Sequence, residues 1–116
     1  MKIEPVLIRA YTAVSALGDG KAAMTGAIGT ERSGLTPLGP HDFGIAPQPQ
    51  PLRTWVGRVV GLEQPLPTEW SHWDCRNNRL AWRGLRSDGF AASVADAVKR
   101  HGADRVGLVL GTSTAS

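Results

Sequence analysis

Two stretches predict β-strands: residues 6–14, which are mostly strand-favouring, and the apolar run at residues 106–110. The second run, Val-Gly-Leu-Val-Leu, has no polar residue on either face, which is typical of a strand buried on both sides. The first run is rich in strand-favouring residues and precedes a turn signal at residues 18–20. A strand buried on both faces needs neighbouring strands, and this sequence offers few. We therefore expect these residues to be the opening portion of a larger α/β protein.

Helical signals begin directly after the turn at residues 18–20. Residues 21–28 predict a helix of about two turns, with Asp19 as its capping residue. A second helix is predicted from about residue 72 to residue 85, because Ser71 and Asp74 have the spacing of a capping box. In that motif the Ser71 hydroxyl accepts a backbone N–H and the Asp74 carboxylate reaches back to the start of the helix.

The third predicted helix has the most complete set of signals. Phe90, Val94 and Val98 recur every four residues and form an apolar stripe. Basic residues at 99–101 occupy the last turn, where cations offset the helix dipole, and Gly102 follows in the position of a left-handed cap.

Prolines dominate the middle of the chain, where residues 36–52 contain five of them. Proline fixes φ and removes a backbone donor, so this segment is predicted to be an excursion over the surface. Residues 53–60 then restore a strand pattern, and the polar side chain of Arg58 indicates an edge or half-exposed position. We interpret residues 1–116 as one partial domain interrupted by this excursion.

Composition and charge narrow the classes of protein to consider. The 116 residues are 41% hydrophobic and 20% charged, which indicates an ordered chain with material for one core. The net charge of +3 comes from 13 basic and 10 acidic residues that alternate along the chain, which argues against a nucleic-acid footprint. A single cysteine, and the lack of a signal peptide or a membrane-spanning stretch, predict a cytoplasmic location.

The sequence contains few motifs for catalysis, metal binding or cofactor binding. His72 and Cys75 lie three residues apart, a spacing that can place two metal ligands, or a nucleophile and its base, on one helix face. Since no further ligand or orienting acid is evident, we interpret both as residues of an ordinary helix N-terminus. The loop at 111–116 follows a strand but lacks the lysine and the glycine spacing of nucleotide-binding loops. We predict no metal and no cofactor.

Four segments together resemble a known family. They are residues 13–20 (AVSALGDG), 33–35 (SGL), 74–81 (DCRNNRLA) and 105–114 (RVGLVLGTST). In this order and at this spacing they are similar to the N-terminal region of the β-ketoacyl-acyl-carrier-protein synthases. The similarity extends over nearly the whole chain, and the proline-rich excursion matches least.

The resemblance implies a thiolase-like layered α/β fold, built from two similar halves and normally assembled as a homodimer, of which this chain would be part of the first half. Members condense an acyl thioester with malonyl-acyl carrier protein and release carbon dioxide. In the family the nucleophilic cysteine follows the region seen here and two histidines lie in the second half. The resemblance therefore implies no catalytic residue in this chain, with acyl carrier protein and the rest of the synthase as partners.

Within the chain, the resemblance points to the loop after the last predicted strand as the part that approaches substrate. Thr112 and Thr114 are the candidates for lining the acyl pocket, and the alternative is that their hydroxyls cap a following helix. The resemblance also implies that Cys75 is not the nucleophile, because it lies in the DCRNNR segment and not in a turn of small residues after a strand. Its neighbours at residues 76–79 are expected to pin the helix to neighbouring loops or to a partner subunit.

Two classes of function stay open. One is a condensing enzyme of fatty-acid, polyketide or polyene biosynthesis. The other is a non-catalytic protein of the same fold, either the partner subunit that shapes chain length in paired synthases or an interaction module.

Overall fold

Helices and very short strands make up the regular structure of residues 4–39, 52–109 and 111, which a computed structural model describes. In chain order the elements are β1 (Val14–Ser15), β2 (Gly18–Asp19), α1 (Gly20–Gly29), β3 (Leu35–Pro37), β4 (Trp55–Gly57), α2 (Arg76–Arg86) and α3 (Phe90–His101). Single turns of 3₁₀ helix cover Ser87–Gly89 and Ala103–Arg105, and a longer 3₁₀ segment covers Thr68–Trp73. None of the helices in these ranges has the length and apolar character that spanning a bilayer requires.

The strands form two antiparallel pairs. β1 pairs with β2 through Val14 opposite Asp19, so the hairpin turns at residues 16–17, and the residues 18–20 predicted as the turn instead form β2 and the start of α1. β3 pairs with β4 and thereby joins the two ends of the proline-rich excursion. The Leu38 N–H extends this pairing by donating to the Thr54 carbonyl at 2.9 Å. The chain is therefore a mixed α/β structure with antiparallel sheets in its described part, while residues 40–51 of the excursion lie outside that part.

The first predicted strand is wrong for most of its length. Of residues 6–14, only Val14 belongs to a strand, and the side chains of Val6, Leu7 and Ile8 are 91%, 72% and 77% exposed. The sequence pattern reports a preference for a pleated, buried surface, but a strand forms only where a neighbour accepts its hydrogen bonds. No strand within residues 4–39 and 52–109 pairs with residues 6–13.

Of the other two predicted strands, one is absent from the described residues and one forms in part. Residues 106–109 adopt no regular structure, and Leu108 and Val109 are 90% and 97% exposed, although the sequence predicts burial on both faces. Leu110 lies outside the described residues. The strand predicted over 53–60 is reduced to β4, because β3 offers it only three partners.

Helix α1 forms where the sequence predicts it, but its N-terminus is capped by another part of the chain. Asp19 is the N-cap residue, yet its side chain makes no cap hydrogen bond. The Lys21 N–H instead donates to both carboxylate oxygens of Asp88, at 3.3 Å and 3.0 Å. A helix N-terminus favours a nearby carboxylate from any source, so Asp88 fulfils the role predicted for Asp19.

The start of α2 is four residues later than predicted, and the expected capping box is not formed. Residues 68–73 form the 3₁₀ segment, Cys75 is the N-cap residue of α2, and no side chain caps that end. The Asp74 carboxylate does not reach back to Ser71, because it accepts hydrogen bonds from the Leu66 N–H and from the Arg79 guanidinium.

Helix α3 confirms its prediction closely. It runs from Phe90 to His101 and ends at Gly102, whose φ of 88° is a positive value that a glycine accommodates. The ψ of 145° at Gly102 lies outside the left-handed helical region, so the predicted left-handed cap is not formed. The Gly102 N–H donates to the Val98 carbonyl at 2.9 Å. The break before α3 places Asp88 at a φ of 55°, which orients its carboxylate toward α1.

The core is small. Ala27 and Leu62 are the buried apolar side chains within the described ranges. Helix α2 packs on β1, and a Cβ added at Gly84 would lie 3.8 Å from Val14 Cγ2. The packed elements therefore hold α1, α2 and the 61–67 loop together and leave the apolar segments 6–8 and 108–109 uncovered.

Candidate functional site

The substrate-lining residues predicted from the sequence fall outside the part of the chain that can be described. Thr112 and Thr114 lie beyond Gly111 among residues without an assigned placement. Their predicted role at an acyl pocket stays a prediction.

No hydrogen bond joins His72 to Cys75 in the described part of the chain. His72 lies in the 3₁₀ segment with its ring tilted against Trp73, at a centroid separation of 5.0 Å. Cys75 is half-buried at the start of α2. No group of three or more His, Cys, Asp or Glu side chains suited to a metal ion occurs in residues 4–39 or 52–109.

A cleft of about 560 Å³ lies along one face of α2. The 61–67 loop forms its opposite wall, and Asp19 at the end of β2 closes one side. Helix α2 contributes three arginines and one tryptophan to it, namely Arg79, Arg83, Arg86 and Trp82. We refer to this feature as the arginine cleft.

Arg79 binds both Asp74, which lies just before α2, and the 61–67 loop. Its Nε and Nη2 donate to the two Asp74 carboxylate oxygens at 2.7 Å and 2.5 Å, and its Nη1 donates to the Leu62 carbonyl at 2.9 Å. The Arg79 hydrogen bond, aided by the Leu66 N–H, lowers the pKa of Asp74 from 3.8 to about 2. The same hydrogen bond raises the pKa of Arg79. Arg79 is therefore a structural cation whose charge is already matched.

Arg83 is paired in a similar way with Asp19. Its Nε donates to Oδ1 at 2.8 Å and its Nη2 lies 2.6 Å from Oδ2. This bidentate contact raises the pKa of Arg83, and it explains why Asp19 does not cap α1. Gly61 permits the arrangement, because a Cβ at this position would overlap the Arg83 guanidinium and φ is 82° there.

Arg86 differs from the other two arginines. Its guanidinium carbon lies 5.6 Å from the centroid of the Trp82 ring, which is a cation–π contact. No acidic side chain in the described part of the chain forms an ion pair with it. The cleft therefore contains two neutralised arginines and one cation that is held by an aromatic face.

The sequence contained part of the signal for this cleft. The expectation that residues 76–79 pin α2 to nearby loops is confirmed for two of them, since Asn78 Nδ2 donates to the Trp73 carbonyl at 2.7 Å and Arg79 holds the 62–63 carbonyls. No role was predicted for Arg83 or Arg86. Arginines at positions 79, 83 and 86 follow helical spacing, so one cationic face could have been identified. Their partner Asp19 is 64 residues away and leaves no local pattern.

Comparisons with known proteins add no relative: no protein-family model matches the chain, and neither does any curated protein or any solved structure.

Proposed function

We propose that this chain is the N-terminal part of a β-ketoacyl-acyl-carrier-protein synthase, a cytoplasmic condensing enzyme with a thiolase-like fold that acts as a homodimer. The proposal is carried by one observation: four segments that resemble the family, at 13–20, 33–35, 74–81 and 105–114, occur in the family's order. Such an enzyme joins an acyl group to the malonyl unit on acyl carrier protein and releases carbon dioxide.

The exposure of apolar segments supports this proposal. Residues 6–8 and 108–109 carry strand-favouring side chains and are exposed in the described structure. In a layered α/β fold such segments become strands when neighbours on either side accept their hydrogen bonds. The two segments on which the strand predictions failed are therefore the ones for which the proposal supplies partners.

The proposal assigns limited roles to the residues of this chain. None of residues 1–116 is proposed as the nucleophile or as a catalytic histidine. Thr112 and Thr114 are proposed to line the acyl pocket. Cys75 is the N-cap residue of α2, and it is proposed to have no part in acyl transfer.

A condensation assay tests the proposal. The polypeptide at its full encoded length is incubated with an acyl thioester and malonyl-acyl carrier protein, and the product is detected by mass spectrometry. We expect a β-ketoacyl product from the full polypeptide and none from residues 1–116 alone, because formation of the thioester and stabilisation of the developing charge need groups outside this segment. Malonyl decarboxylation by the 116 residues alone would contradict the proposal.

The role of Thr114 is tested by product length. In the full polypeptide, Thr114→Phe should shorten the longest acyl chain accepted, because the added ring obstructs a tunnel. Thr112→Ser and Thr114→Ser keep small hydroxyl side chains and serve as controls. Products are compared at matched thermal stability. An unchanged product length with altered stability would instead show that Thr114 caps a helix.

A further inference from the structure

The arginine cleft has a free cation next to an apolar wall. We propose that it binds an organic monocarboxylate, with the carboxylate on Arg86 and an aromatic or short aliphatic body along the 65–67 segment. The proposal rests on the geometry of α2 and the facing loop, and it does not depend on the condensing activity proposed above.

The contact between Arg86 and Trp82 prepares the guanidinium for a carboxylate. The Arg86 guanidinium carbon lies 5.6 Å from the ring centroid, within the range of a cation–π contact. None of its N–H donors forms a hydrogen bond or ion pair within the described part of the chain, so they are available to a ligand. Two parallel N–H donors match the two oxygens of a carboxylate, and a side chain already in contact with Trp82 has less freedom to lose when such a ligand binds.

The 65–67 segment supplies the apolar side chains of the cleft. Pro65, Leu66 and Pro67 line the cleft, and Leu66 and Pro67 are half-buried. The Leu66 N–H is already bound to Asp74 and prolines have no N–H, so this segment offers a ligand three apolar side chains and no free backbone donor. A volume of about 560 Å³ falls within the usual range of roughly 300–1,000 Å³ for small-molecule sites.

The charges around the cleft favour a single negative charge on the ligand. Asp74 and Asp19 neutralise Arg79 and Arg83, which leaves the Arg86 charge for the ligand. Asp19 also lines the cleft, and Glu63 acts on Arg83 electrostatically. A phosphate monoester carries a charge of about −1.5 to −2 near pH 7, and its additional charge would find no unmatched arginine among the cleft-lining residues. A carboxylate carries one charge and is therefore preferred.

Ligand titration tests the proposal on the full encoded polypeptide labelled with ¹⁵N. Sodium benzoate is the probe, and the Trp82 indole N–H signal, assigned with Trp82→Phe, is the readout. We expect a saturable shift of this signal with benzoate and none with benzamide, which has the same shape without the charge. Phenyl phosphate should bind more weakly than benzoate.

Variants on α2 locate the binding group. Arg86→Gln should weaken benzoate binding about tenfold or more, and Arg86→Lys should also weaken it because the planar pair of donors is lost. Arg76→Gln is the matched control, since Arg76 lies on the same helix and outside the cleft lining. Circular dichroism shows whether each variant keeps its helices. The proposal is overturned by absence of a benzoate shift, by equal binding of benzamide, by tighter binding of phenyl phosphate, or by equal effects of Arg76→Gln and Arg86→Gln.

Discussion

Asp74 joins the start of α2 to the loop that faces it. Its carboxylate accepts hydrogen bonds from Arg79 on the helix and from the Leu66 N–H on the facing loop. It therefore connects the first turns of α2 to the wall of the arginine cleft. These hydrogen bonds favour the ionised carboxylate and so lower the pKa of Asp74. The stability of this part of the fold therefore depends on pH.

Replacing Asp74 with Asn should reduce stability at neutral pH and flatten its dependence on acid. The pKa of Asp74 is about 2 in the folded chain and 3.8 ordinarily. The folded state thus binds the proton less readily than the unfolded state, so the contribution of Asp74 is present above about pH 4 and is lost as pH falls toward 2. Thermal midpoints of the full polypeptide between pH 7 and pH 2 measure the effect.

Asp96→Asn is the control for that measurement, because Asp96 is exposed on α3. The difference in midpoint between Asp74→Asn and the unaltered polypeptide should shrink between pH 4 and pH 2, while that for Asp96→Asn stays nearly constant. A constant difference for Asp74→Asn would show that the carboxylate does not carry this linkage.

Predictions about individual residues succeed where a signal has one structural role and fail where the same residue type can serve two roles. Gly102 ends α3 as expected, because the signal and the helix that it ends are adjacent. Asp19 and Asp74 were both assigned to the helix that follows them, and both instead bind arginines of α2. An acidic residue has the same local signature whether it caps a helix or pairs with a guanidinium, so sequence alone does not separate the two roles.

At the scale of elements, the junction between α2 and α3 stabilises a helix to which it is not connected in sequence. Asp88 lies in that junction, and its carboxylate accepts the Lys21 N–H at the second position of α1. A Cβ at Gly20 would lie 2.8 Å from Asp88 Oδ1, so a glycine at the start of α1 permits the approach. The positions of α1, α2 and α3 are therefore coupled through one side chain.

Removing the Asp88 carboxylate should destabilise α1 more than α2 and α3, the two helices that Asp88 lies between. Asp88→Ala is expected to cost about 1 kcal/mol of unfolding free energy, the usual effect of losing an N-terminal cap. Asp88→Asn should retain most of the stability, because its side-chain oxygen accepts the same hydrogen bond and Asn tolerates a positive φ. Hydrogen exchange at the Lys21 amide reports the cap directly. Equal exchange rates in the Ala and Asn variants would contradict this assignment.

The source of its hydrogen bonds decides whether an element is predicted correctly from the sequence. All three α-helices form close to their predicted positions, because the hydrogen bonds of a helix are internal to its segment. The segments predicted as long strands yield β1 and β4, with two and three residues, or no strand at all. A strand takes its hydrogen bonds from a neighbour, so an apolar run shows what a segment prefers and not whether a partner is present.

At the scale of the whole molecule, the described structure leaves two apolar segments uncovered, residues 6–8 and 108–109. Leu7 and Val109 lie in segments without strand partners among the described residues, and both side chains are exposed. Unpaired backbone groups next to apolar side chains favour pairing with other chains. The arginine cleft is a local feature of α2 that the overall resemblance to a synthase does not predict.

Residues 1–116 produced alone should therefore be oligomeric, molten or insoluble. The double variant Leu7→Glu with Val109→Glu should increase the monomer fraction, because charge on both segments opposes intermolecular pairing. Val60→Glu is the matched control, since Val60 is exposed outside these two segments. Size-exclusion chromatography with light scattering measures the monomer fraction. A monodisperse monomer that melts cooperatively without any substitution would contradict this prediction.

Mapping the acylated cysteine tests the proposed synthase most directly. The full encoded polypeptide is incubated with an acyl thioester donor, digested, and analysed by mass spectrometry for the peptide that carries the acyl group. The proposal predicts a thioester on a cysteine outside residues 1–116, with Cys75 unmodified. An acyl group on Cys75, or a folded polypeptide that acquires none, would contradict it.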